Sequence, residues 1–102
     1  MIEITILIPR TDTEGCLWTS ERRQWWRELL CARHGGFTRG PSREGGWLGF
    51  GGKVMIETGE EWVVAVEGLR ELATLVETLE MAKDHFNQEA IYVRYLDRAE
   101  LI

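Results

Sequence analysis

Isoleucines at positions 2, 4, 6 and 8 alternate with Glu3, Thr5 and Leu7, a period of two that predicts a β-strand with one buried face. Pro9 ends it, having no N–H to give to a ladder. Thr11 to Gly15 is turn chemistry. Thr19 or Ser20 then caps a helix, with Glu21 in its first turn. That helix runs to about His34, carries Arg22, Trp26, Leu29, Leu30 and Arg33 on one face, and stops at Gly35-Gly36. Phe37 to Gly52 is rich in Gly, Arg and Ser, and predicts an irregular or edge strand centred on Trp47 to Phe50, with a turn at Gly51-Gly52. Lys53 to Glu67 is β-rich with a break near Thr58-Gly59-Glu60. Beyond the break, Trp62, Val64 and Val66 share one face. Gly68 opens a second helix from Leu69 to about Phe86, whose apolar positions Leu69, Leu72, Ala73, Val76, Leu79 and Phe86 recur at helical spacing. Ile91 to Leu96 reads as the last strand.

The order β-α-β-β-α-β is the split-βαβ pattern. It predicts one α+β domain over residues 1–102, a four-stranded antiparallel sheet with two helices on one face. Right-handed crossovers put strands 1 and 3 in the centre and strands 2 and 4 at the edges. The expected core is Ile4, Ile6, Trp26, Leu30, Val64, Leu72, Val76, Leu79 and Val93. The face turned from the helices then receives Thr5, Leu7, Val63, Ala65, Tyr92 and Leu96, with Arg94 and Glu67 as its charges. An apolar face of that kind points to a homodimer.

Composition narrows the class. A chain of 102 residues, 44% hydrophobic, supports one core and no second domain. Cys16 and Cys31 stand in no metal or redox spacing, so reduced thiols in a cytoplasmic protein are expected. No signal peptide and no membrane-length apolar run is present. The net charge of −5 disfavours nucleic acid and anionic membranes as partners. The charge is uneven, however: Arg22 to Lys53 holds seven basic residues against two acidic, and four of the five tryptophans lie in or beside that window.

Three short motifs carry a resemblance: Gly35-Gly36-Phe37-Thr38, Gly46-Trp47, and Phe86-Asn87-Gln88-Glu89-Ala90-Ile91-Tyr92-Val93. Over most of its length the chain resembles a family of small uncharacterised bacterial proteins with a ferredoxin-like fold. The resemblance implies that fold and no particular activity. Arg39 to Gly45 is particular to this chain.

Two constellations carry candidate chemistry. Arg10, Asp12, His85 and Glu89 are expected at one end of the sheet, where carboxylates beside a histidine could do acid–base work. Structural ion pairing accounts for the same residues. Arg33, Arg39, Arg43, Trp47 and Lys53 form the second set, with guanidinium forks suited to phosphate or carboxylate and indole faces suited to stacking. A solvated loop is its plainer reading. Gly49 to Val54 faintly echoes an RNA-recognition signature but lacks its second stacking aromatic. No phosphate loop or nucleophile elbow occurs, no two histidines stand at metal-ligand spacing, and nothing calls for a cofactor. The sequence therefore points first to a non-catalytic binding module, engaging a protein partner or a small anionic ligand such as a nucleotide. Its alternatives are a small acid–base enzyme at the Arg10/Asp12/His85/Glu89 end, and a phage- or plasmid-encoded inhibitor that sequesters a nucleotide signal or blocks a host protein.

Overall fold

A computed structural model describes residues 1–12, 14–96 and 98–102, apart from the side chains of Trp47 and Phe50. The elements run β1 (Ile2–Pro9), α1 (Ser20–His34), β2 (Thr38–Leu48), a 3₁₀ turn (Phe50–Gly52), β3 (Val54–Val66), α2 (Gly68–His85), β4 (Tyr92–Tyr95) and β5 (Arg98–Leu101). They build one antiparallel sheet of order β2-β3-β1-β4-β5. β1 is the middle strand, flanked by β3 and β4. The sheet has five strands rather than four. Arg98 to Leu101 pairs with β4, so β4 is no longer an edge.

Local chemistry sets the ends of α1. Thr19 Oγ1 accepts from the Arg22 amide at 3.2 Å, filling one of the donors a helix start leaves open. Gly35 takes the left-handed conformation, and its amide closes on the Cys31 carbonyl. In β3 the expected break at Thr58-Gly59-Glu60 does not occur. Pairing with β1 continues from Val66 to Gly59, and pairing with β2 continues to Val54. Gly59 serves as a site of close approach: a Cβ there would stand 2.8 Å from Leu7 Cγ on the neighbouring strand. β2 is longer than the sequence suggests and begins at Thr38, with its register shifted between Arg39 and Ser42. Residues 44–48 and 54–58 pair with each other past the end of β1. They form a hairpin arm that exposes Leu48, Val54, Met55 and Ile56.

The core lies between one sheet face and both helices. Ile4, Ile6, Ile8, Trp62, Val64, Val66 and Val93 come from the strands; Trp26 and Leu30 come from α1; Leu75, Leu79 and Ala82 come from α2, with Phe86 just past its end. Seven of the nine expected core residues are buried. The exceptions are both on α2. Leu72 is partly buried, and Val76 is 46% exposed while Leu75 is 3% exposed. Leu69, the first of the apolar positions at helical spacing, is 84% exposed. Among the described residues no helix covers the outer sheet face, which carries the half-buried Thr5, Leu7 and Val63 and the exposed Tyr92, as the alternation requires, and also Glu61. Glu67 lies instead at the N-cap of α2. Among the described residues no helix is long and apolar enough to cross a membrane.

Candidate functional site

Glu60 and Glu61 are adjacent in β3, so their side chains leave on opposite faces of the sheet. Both are buried. A buried carboxylate needs charge and hydrogen-bond partners to stay ionised, and arginines supply them on both faces. On the helix side, Glu60 Oε1 lies 2.9 Å from Arg23 Nη2, 2.9 Å from Arg39 Nη2 and 3.8 Å from Arg10 Nε. On the outer face, Glu61 Oε1 accepts from Arg43 Nε at 3.0 Å and Arg94 Nη2 at 3.3 Å. Five guanidiniums thus converge on two carboxylates, from α1, β2, β4 and the residue just past β1.

Aromatic rings wall the Glu60 side. Trp26 meets Trp62 and Phe86 edge-on, Phe37 lies against Trp62, and Trp18 meets Phe86. The guanidiniums of Arg27 and Arg39 lie 5.8 and 5.6 Å from the Trp62 ring centroid, within cation–π range. Beneath the arginines is a cavity of about 10 Å³ lined by Arg10, Arg23, Trp26, Glu60 and Trp62 among others. A second concavity, open and about 500 Å³, runs along α1 and is lined by Ser20, Glu21, Gln24, Trp25, Arg27 and Glu28.

The structure regroups the residues singled out by sequence. Arg10 and Arg39, assigned to different sets, share Glu60. Arg43 belongs to Glu61 on the other face. Arg33 is tied to α2, donating to Thr78 Oγ1 at 2.9 Å and to Glu77 Oε2 at 2.8 Å. Lys53 sits at the tip of the hairpin arm, just past the 3₁₀ turn. The backbone of Trp47 pairs with Met55 in that arm, and its side chain lies outside the described part of the structure. The proposed acid–base group is dispersed as well. Asp12 Oδ1 accepts from the amides of Glu14 and Cys16, closing its own loop. His85 stacks on Trp25 with centroids 3.7 Å apart, and its Nε2 pairs with the Arg22 carbonyl at 3.1 Å. Burial pushes the pKa of His85 below its ordinary value; the Arg22 charge adds to this and the hydrogen bond opposes it. Glu89 is exposed.

Sequence reasoning passed over Glu60 and Glu61 because a polar pair beside Gly59 looks like a turn. The available signal was the strand phase. Counting back by twos from Val64 and Trp62 puts Glu60 on the buried face, where an acidic residue requires a cationic partner.

No family model matches the chain, and no curated protein matches it. Solved structures do. A phage SAM lyase in complex with S-methyl-5'-thioadenosine superposes with a TM-score of 0.71 at 14% identity, over 99% of this chain and 88% of that one. A phage SAM lyase in its apo state gives a TM-score of 0.69 at 13% identity, over 99% and 87%. At such identity the likeness establishes the fold. It also overturns the expectation of a non-catalytic binding module, because the fold matched along nearly the whole chain is one that carries an enzyme.

Proposed function

We propose that the chain is an enzyme of the SAM-lyase type, which binds SAM and cleaves it to S-methyl-5'-thioadenosine. The observation that carries this reading is the near full-length likeness to a phage SAM lyase seen with that nucleoside. Of the alternatives drawn from sequence, the phage- or plasmid-encoded inhibitor that sequesters a nucleotide signal or blocks a host protein comes nearest to it, although it envisaged sequestration and not cleavage.

The chemistry asks little of a general acid. SAM carries a sulfonium, and breaking the bond between its sulfur and the amino-acid chain returns the electron pair to sulfur. S-Methyl-5'-thioadenosine departs as a neutral thioether, so no proton is needed on the leaving group. The protein must hold a cation and a purine, and dispose the amino-acid fragment to close on its own carboxylate or to lose a proton. Carboxylates and aromatic faces suit the sulfonium. The shallow, open concavity along α1 offers Glu21, Glu28 and the Trp25 indole. The other cavity, at about 10 Å³, is too small for a nucleoside.

Calorimetry with S-methyl-5'-thioadenosine tests this placement. Saturable binding is expected, and Trp25→Ala should weaken it by about 1–3 kcal/mol if the indole stacks on the base. Binding that Trp25→Ala leaves unchanged would move the nucleoside elsewhere.

Two structural readings accompany the proposal. We infer that β1 to β4 with both helices form a ferredoxin-like core extended by β5; the order β2-β3-β1-β4 within the sheet supports it. We also propose that the chain self-associates through the outer sheet face, on which Leu7, Val63 and Tyr92 have no covering helix among the described residues.

A further inference from the structure

The cavity under the arginines combines shape with a one-sided hydrogen-bond inventory. Trp26 and Trp62, 1% and 2% exposed, both line it. Their Nε1 atoms are buried with no hydrogen-bond partner among the described residues, and so is Nε of Arg10, a third wall residue. The remaining indole at the cavity, Trp18, is already spent on the Pro9 carbonyl at 2.6 Å. Indole and guanidinium nitrogens only donate. Three buried donors on residues that line one cavity therefore have no partner among the described residues, where buried polar groups are almost always paired.

Size and charge restrict what could pair with them. About 10 Å³ admits one atom the size of a water oxygen. An apolar filling would leave all three donors orphaned. A water accepts two hydrogen bonds, which leaves one of the three donors without a partner. An anion accepts all three and has no proton to place. The surrounding charge favours it as well, since Arg10, Arg23 and Arg39 face the single carboxylate of Glu60. The Arg10 Nε to Glu60 Oε1 distance of 3.8 Å is beyond hydrogen-bond reach, so that N–H is free for another acceptor. The side chain of Arg10 is about two-fifths exposed and gives the cavity a cationic rim.

We propose that this cavity is a small-anion site, in which a halide or one oxygen of a carboxylate sits against Trp26 Nε1, Trp62 Nε1 and Arg10 Nε. The site is independent of the nucleoside reading and can be tested without SAM. The full chain, labelled with ¹⁵N at tryptophan, is titrated with sodium chloride in one series and sodium formate in another. Ionic strength is held with a bulky sulfonate buffer. The indole N–H signals of Trp26 and Trp62, assigned by Trp26→Phe and Trp62→Phe, should shift together and saturate, while that of Trp18 should not follow. Saturation by chloride alone identifies a halide site, and by formate alone a carboxylate site; saturation by both identifies a site for small anions in general. Arg10→Gln should weaken the response at least tenfold, whereas Arg33→Gln, on an arginine tied to α2, should leave it unchanged. Should Arg10→Gln fail to fold, Trp62→Phe serves in its place, weakening the response read at Trp26. Two signals that stay fixed in folded wild-type protein in both series, or that drift without saturation along with all five indoles, would overturn the proposal in favour of a water-filled cavity.

Discussion

Glu60 is held by three guanidiniums in a wall of tryptophan, and its energetics differ from those of the surface pairs. Glu60→Gln keeps the shape but removes the charge, leaving three cations crowded around a neutral amide. Hydrogen bonds to charged groups contribute about 1.5–3 kcal/mol, and solvent reaching the half-exposed arginines reduces that. A loss of about 1–2 kcal/mol in urea melts is expected. Glu77→Gln breaks the Arg33 pair at a carboxylate 72% exposed, where about 0–1 kcal/mol is typical. Equal losses from the two substitutions would contradict the special standing of Glu60. His34 gives the pH dependence. Its Nε2 lies 2.9 Å from Thr78 Oγ1, and burial first, then the Arg33 charge, lowers its pKa. The unfolded chain then takes up a proton before the folded one does. Stability should be level above the ordinary histidine value near 6.5 and decline as pH falls below it; His85, lowered in the same direction, shares in the decline, so His34→Gln should lessen it in melts between pH 7.5 and 5. Arg39 and Arg43 were legible as unusual from sequence. Their partners were not, because a carboxylate on a buried strand face is recognisable only once the strand's phase is known.

At the scale of elements, α2 shows where periodicity stops short. Two apolar stripes run side by side along it, one through Leu69, Ala73 and Val76, the other through Leu75, Leu79 and Ala82 to Phe86. Spacing alone does not choose between them. Packing chooses the second, because it continues into Phe86 against Trp18 and Trp26, while Leu69 projects into solvent at the opposite end. Leu79→Ala should cost about 2–5 kcal/mol, and Val76→Ala about 0.5 kcal/mol or less. Denaturant midpoints that rank the two in the opposite order would refute the helix phase. β2 illustrates the converse. Its Gly, Ser and Pro belong to turns by propensity, but pairing with β3 makes a strand of them, since strand preference is largely a matter of context. β5 offered no signal at all: Arg98 to Leu101 is short and exposed throughout. β1, α1, the glycine stop and the Gly51-Gly52 turn were legible because each rests on local chemistry.

The whole molecule is two layers with one face of the sheet left open. Two helices on an antiparallel sheet were legible in the order of the elements, whereas the fifth strand and the hairpin arm escaped it. What the order could not give is the use made of the architecture, since one fold hosts many chemistries. Self-association through the open face predicts a mass near twice the 11.8 kDa of one chain in light scattering at micromolar concentration. Val63→Lys should return the mass to that of one chain, and a wild-type mass near 11.8 kDa would remove the dimer. The enzymatic reading is tested most directly by turnover. Purified chain incubated with SAM at neutral pH, and followed by liquid chromatography against a protein-free blank, should consume SAM and release one S-methyl-5'-thioadenosine for each molecule lost, at a rate proportional to protein concentration. SAM disappearing no faster than in the blank, with folded protein present throughout, would contradict the account.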